Sequence, residues 1–370
     1  MPDLTTEDAY WVALNRALGA GRVTFHKLVR HFGTAREVFS ASVAQIHAVD
    51  TRIGEKLAAR IAACDPEREI AEELRCMERS NATVLTLNNS RYPVNLKVIY
   101  DPPPVLYVLG ELRREDLLSV SIVGTRRPTR YGRGAASMLA KGLAERGLTI
   151  VSGMARGIDS CAHRGALEAS GRTIGVLGCG VDVVYPAEQR ILRDRIVSAG
   201  AIVSEFAMGT RPNRGNFPMR NRVISGLSLG TMVVEAGADS GALITASIAL
   251  EQGREVFSVP GCITTSASAG TNRLIREGAK IVTCVEDVVE EFSPQVQALL
   301  SPPPSARGEE MALAPEEQRV YALVTDEEQH IDFLIAQSGL PAAEVSSILV
   351  RLELAGMVRQ YAGKLFVRAN

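Results

Sequence analysis

Six short runs of β-prone apolar residues, spaced through the middle of the chain, limit what it can fold into. They are residues 120–123, 148–151, 173–177, 201–203, 231–234 and 255–259, and almost every one ends in glycine or serine. Helix-like segments separate them, so the stretch from Ser119 to Thr283 reads as successive βαβ units. Runs this continuously apolar belong to a parallel sheet covered on both faces. Ligands of such sheets bind beyond the carboxyl ends of the strands, where Gly124, Ser152-Gly153, Gly178, Ser204-Glu205 and Glu235 fall.

Two further strand-like runs, Thr83–Leu87 and Val105–Gly110, precede this region and are expected to extend the same sheet. Between them lie turn and polyproline material, Asn88–Pro93 and Tyr100–Pro104. The α/β core, an extended Rossmann-like parallel sheet, is therefore expected to span residues 81–293. Residues 1–80 read as a small all-α domain, with Trp11, Leu14 and Leu18 at helical spacing and a further helix from Pro66 to Arg79. Leu18-Gly19-Ala20-Gly21-Arg22 and the segment Val49–Gly54 look like two hairpin turns; such turns present amides to DNA phosphate in a helix-hairpin-helix, and equally occur in bundles used for protein contact. After residue 293 composition shifts to a linker, 294–314, centred on Ser301-Pro302-Pro303-Pro304. Residues 315–370 then give three helices and a hairpin, the pattern of a winged helix. Its third helix, Ala342 to Glu353, in the place of a recognition helix, carries Arg351 as its one basic residue, which favours protein contact over tight duplex binding.

No run of about 18 apolar residues occurs, so no membrane-spanning helix is expected. The acidic start, Met1 to Asp8, lacks the apolar core of a secretory signal, and a cytoplasmic protein is expected. The six cysteines are scattered without a C-x-x-C pair, so neither a metal site nor a disulfide framework is expected, and they read as small buried residues. A net charge of -1 hides an uneven distribution. Between Asp116 and Glu145 there is no acid, but Arg126, Arg127, Arg130, Arg133 and Lys141 are present; between Glu205 and Glu235 there is again none, against Arg211, Arg214, Arg220 and Arg222. Both windows flank the ligand edge of the sheet, which gives a local footprint for a polyanion.

The motifs fit that footprint. Gly124-Thr125-Arg126 joins a strand to a helix, and Ser152, Gly153, Ala155 and Gly157 supply small residues where a backbone can approach phosphate. Arg214, Asn216, Phe217, Arg220 and Arg222 put an amide and an aromatic among arginines, an arrangement suited to stacking a nucleic-acid base. Neither G-x-G-x-x-G nor G-x-x-x-x-G-K-[ST] occurs, so no dinucleotide or ATP cofactor is expected. Ser152, Asp159 and His163 lack a nucleophile-elbow context, and His163 in an alanine-rich helix reads as a packing residue.

Taken together, Gly124-Thr125-Arg126, Ser152–Asp159, Asn216–Arg222, Ser240-Gly241 with Thr245-Ala246, Val259–Gly261 and Gly270–Asn272 resemble the DNA-processing protein A (DprA, also called Smf) family. The resemblance is dense from Leu109 to Thr283. It implies an extended Rossmann-like fold, single-stranded DNA binding, a homodimer and delivery of the strand to the recombinase RecA during transformation, without catalysis. By position it implies that Arg126 grips phosphate. Arg214 stands where the family usually has lysine, which keeps the charge and changes the donor geometry. A second reading is enzymatic: Gly230–Glu235 echoes the glutamate motif of related nucleotide N-glycosidic hydrolases, although the preceding glycine pair is missing and the glutamate comes one residue late.

Overall fold

The structure is a computed structural model that describes residues 5–19, 22–50, 53–300, 314–325, 327–354, 357–361 and 363–368. Ala20 and Gly21 of the first expected hairpin turn, Thr51 and Arg52 of the second, Ala362 of the wing and the linker from Ser301 to Gly308 lie outside them. The chain divides into two compact units, Met1–Pro303 and Pro304–Asn370.

The first unit is built on one sheet of nine strands: β1 (Thr83–Thr86), β2 (Val105–Gly110), β3 (Ser119–Val123), β4 (Thr149–Ser152), β5 (Thr173–Val176), β6 (Ala201–Ser204), β7 (Gly230–Val233), β8 (Glu255–Ser258) and β9 (Lys280–Ile281). Their spatial order is β1-β2-β6-β5-β4-β3-β7-β8-β9. From β6 to β9 every neighbour pair is parallel, and β1 and β2 are added antiparallel beside β6. The chain winds outward from β3 to β6, then returns across the sheet to lay β7 on the other side of β3. That reversal makes the β3/β7 boundary the topological switch point, where a crevice opens beyond the strand ends.

Strand alternation sorts the core into layers. From β2, Val105, Tyr107 and Leu109 join the cluster made by the N-terminal helices, while Leu106 and Val108 join the opposite layer with Val223, Ile224 and Ala246. Helices Arg130–Glu145 and Ile158–Glu168 cover the face carrying Val120, Ile122, Ile150 and Met232. Leu300, at the end of the segment after residue 293, is buried in that same layer. The N-terminal helices are tied to the sheet by polar bonds as well: Arg16 pairs with the buried Glu73, whose other oxygen accepts from the Met208 amide at 2.8 Å, and Asn15 donates to the Glu205 carbonyl at 3.2 Å. The expectation of six buried cysteines needs correction, because Cys262 and Cys284 are exposed, Cys64, Cys76 and Cys161 half-buried and Cys179 buried. The first two sit in exposed connecting segments beyond β8 and β9, outside the apolar runs that form the core.

The second unit has helices Pro315–Leu323, Ile331–Ser338 and Ala342–Leu354, with strands β10 (Gln329–His330), β11 (Val358–Tyr361) and β12 (Leu365–Arg368) in the order β10-β12-β11. The second and third helices meet at a bend of 115°, as in a helix-turn-helix. Val320, Leu334, Val345, Leu349 and Phe366 form its core. Arg351 is bound to Glu317 at 2.7 Å. Among the described residues no single helix is long and apolar enough to cross a membrane.

Candidate nucleic-acid interface

The turn after β3 is held from behind by β7. Glu235, 2% exposed, accepts from the Thr129 amide at 2.8 Å and from the Thr129 hydroxyl at 2.7 Å, and its carbonyl accepts from the Thr125 amide at 2.7 Å. Thr129 in turn caps helix Arg130–Glu145 by accepting from the Gly132 amide at 3.1 Å. Both oxygens of Glu235 are therefore engaged in fixing the loop that carries Arg126. Gly124 is required by packing, since a Cβ there would stand 2.6 Å from Ile158 and 2.9 Å from the Glu235 carbonyl. Gly157, at φ 82°, turns the chain into the next helix under the Thr125 carbonyl, a backbone state that side-chain-bearing residues rarely adopt.

This turn forms one wall of a cavity of about 800 Å³ at the switch point. Arg126, Arg127, Arg214 and Arg220 line it, and among the described residues the one carboxylate in its lining is Asp159. Helices Ile158–Glu168, Asn216–Leu227 and Gly241–Glu251 begin around it, so their positive ends add to the arginines. Phe217 is half-buried in the wall, with the Arg126 guanidinium 5.5 Å from its ring centroid and the Tyr185 ring 5.8 Å away at 31°. Asn216 braces the same place by donating to the Gly178 carbonyl at 3.1 Å.

The structure sorts the expected residues by role. Asn216 to Arg222 is the first two turns of helix Asn216–Leu227. At about 100° per residue, Arg220 and Arg222 then point about 200° apart and cannot face one ligand. Arg220 is buried beneath the cavity and donates to the carbonyls of Gly153 and Val176. Arg222 is buried elsewhere, paired with Glu205 and with Asp101 at 3.3 Å, and does not line the cavity. Ser152 is also interior and donates to the Ile122 carbonyl at 2.6 Å. Ala155 remains at the cavity, its amide donating to Asp159 at 3.2 Å. Tyr185, which sequence reasoning did not single out as a site residue, joins the site; its one signal is an aromatic before proline in the glycine-containing segment after β5.

Burial sets the charges. It raises the Asp159 carboxyl above its ordinary range, against the pull of Arg220, and lowers the Arg220 guanidinium, which Asp159 supports. Burial also brings the His163 imidazole down to about 3. Thr173 spends its hydroxyl proton on the Ile150 carbonyl, so Nδ1 of His163 is the donor in the 2.7 Å contact to Thr173. Ser152, Asp159 and His163 thus each have separate partners and form no relay. No group of three or more His, Cys, Asp or Glu side chains among the described residues is placed to hold a metal.

The family model described as DNA recombination-mediator protein A matches residues 83–293, and that described as the DprA winged helix domain matches residues 301–364. Protein Smf of Synechocystis is 33% identical over 98% of this chain and 99% of its own length, and Protein Smf of Escherichia coli is 38% identical over 80% of each. Among solved structures, DNA processing protein A from Streptococcus pneumoniae aligns with a TM-score of 0.67 at 33% identity, covering 79% of this chain and 99% of that one. DNA processing protein A from Helicobacter pylori, whose structure concerns its single-stranded DNA binding mode, aligns with a TM-score of 0.51 at 31% identity, covering 57% and 97%.

Proposed function

We propose, from the premise that this chain belongs to the DNA recombination-mediator protein A family, that it binds single-stranded DNA in the switch-point cavity and performs no chemistry on it. The observation that carries this reading is the cavity lining: exposed Arg126, Arg127 and Arg214 for phosphates beside the Phe217–Tyr185 pair for bases. An exposed aromatic face beside arginines suits unpaired bases, whereas duplex bases are already stacked on one another. Arg220 and Asp159 lie beneath as supports. Glu235, both of whose oxygens accept from Thr129, favours this reading over nucleotide N-glycosidic hydrolysis, which needs a carboxylate free to meet substrate.

In this reading residues 81–293, with 294–300 packed on them, are the DNA-binding body, 1–80 and 315–370 are flanking modules, and the rest of 294–314 connects the last of them. The protein acts in the cytoplasm as a homodimer that passes its strand to RecA. A salt titration of labelled single- and double-stranded oligonucleotides tests the DNA claim. Single strands bind more tightly, and Arg126→Ala and Arg214→Ala each reduce the slope of log K against log salt by about 0.7. Unchanged affinity and slope in both variants would overturn the assignment.

A further inference from the structure

A second basic cavity, of about 430 Å³, opens beside the first and shares Arg126 and Arg127 with it. Its remaining cationic wall is made by Arg133, Arg156 and Arg164. Arg133 projects from the first turn of helix Arg130–Glu145 and Arg164 from the second turn of Ile158–Glu168, so the packing of these two helices brings together charges 31 positions apart in sequence. All five arginines are exposed, and no carboxylate lines the cavity among the described residues. Arg156 pairs with Glu188, but that pair is solvent-exposed and of small net worth. Arg133 keeps one nitrogen on the Pro128 carbonyl at 2.8 Å. The floor is polar and already satisfied, with Gln189 donating to the Ser160 hydroxyl and Ser160 donating to the Ala155 carbonyl.

Five like charges, of which among the described residues Arg156 alone is paired with a carboxylate, the exposed Glu188, repel one another, and a polyanion relieves that repulsion. Among the described residues no aromatic lines the groove, so they offer nothing for a base and much for a phosphate chain. We propose that it is a second phosphate subsite, which takes the sugar–phosphate chain of the same DNA strand as it leaves the Phe217 cavity across Arg126 and Arg127. This rests on the single-strand reading above and adds to it a direction for the strand and two contact residues, Arg133 and Arg164.

The test uses the full chain, the exposed double variant Arg133→Ala/Arg164→Ala, and two labelled oligothymidylates of about 4 and about 16 nucleotides, which bracket common site sizes. On the longer strand the variant loses about 1.4 from the salt slope, so the wild-type advantage shrinks about sevenfold between roughly 50 and 200 mM salt. On the shorter strand it matches wild type. Arg133→Lys/Arg164→Lys restores the slope, because counterion release needs charge and not guanidinium geometry. Equal slopes for wild type and the alanine variant on the longer strand, or equal losses on both strands, would overturn the subsite while leaving the first cavity intact. Failure of wild type to bind either strand would instead overturn the single-strand reading itself.

Discussion

Replacing Phe217 separates what its ring does for the fold from what it does for a ligand. In the free protein the ring faces Tyr185 at 5.8 Å and Arg126 at 5.5 Å. An aromatic pair is worth about 0.5–1.5 kcal/mol and an exposed cation–π contact about 0.5–1 kcal/mol, so Phe217→Ala lowers stability by about 1–2.5 kcal/mol. Loss of a stacked base costs about 1–3 kcal/mol more in single-strand affinity, or about 5- to 150-fold. Stacking releases no counterions, so the salt plot for Phe217→Ala shifts in parallel with wild type, whereas Arg126→Ala flattens it. Phe217→Leu keeps most of the volume and removes the π face, so it forfeits these two ring contacts without opening a cavity, and binds single strands weakly while remaining folded. Anisotropy titrations with single-stranded and duplex oligonucleotides, alongside thermal melts, read both quantities. If Phe217→Leu binds single strands as wild type does, or if Phe217→Ala weakens both DNA forms equally, the ring is a packing residue and the stacking assignment fails.

His163 gives a pH prediction. Its imidazole is held down to about 3, against 6.5 in an unfolded chain, so the unfolded state takes up the proton first and stability falls as pH drops from 6.5 toward 3. The loss attributable to His163 reaches about 2 kcal/mol at about pH 5, and urea midpoints for His163→Gln show a correspondingly flatter acid limb; an unaltered limb would refute the assignment. Glu235→Gln replaces a carboxylate that accepts two bonds from Thr129 and costs about 1–3 kcal/mol of stability. It also weakens single-strand binding by loosening the turn that carries Arg126. Neither wild type nor this variant releases free base from nucleoside monophosphates; release by wild type that is lost in the variant would favour the hydrolase reading.

The sequence by itself determined eight strands of the large sheet, because an apolar run between turn residues is a local signal that a covered sheet must satisfy; β9, two residues long, carries no such run. It also placed Gly124 and Arg126 at a strand end and found the winged helix from three helices and a hairpin. It located Arg220 and Arg222 in a basic window but not on opposite sides of a helix, since Asn216-Phe217-Pro218 carries no apolar periodicity to mark the start of Asn216–Leu227. Pairing decided the rest. Only the return of the chain across the sheet sets β7 beside β3, which brings Glu235 behind Thr129, 106 positions away. Tyr185 meets Phe217, and Arg133 meets Arg164, by the same kind of long-range packing. No residue pattern along the chain records such encounters, because they depend on strand order and helix rotation, which the burial of all the apolar faces together selects.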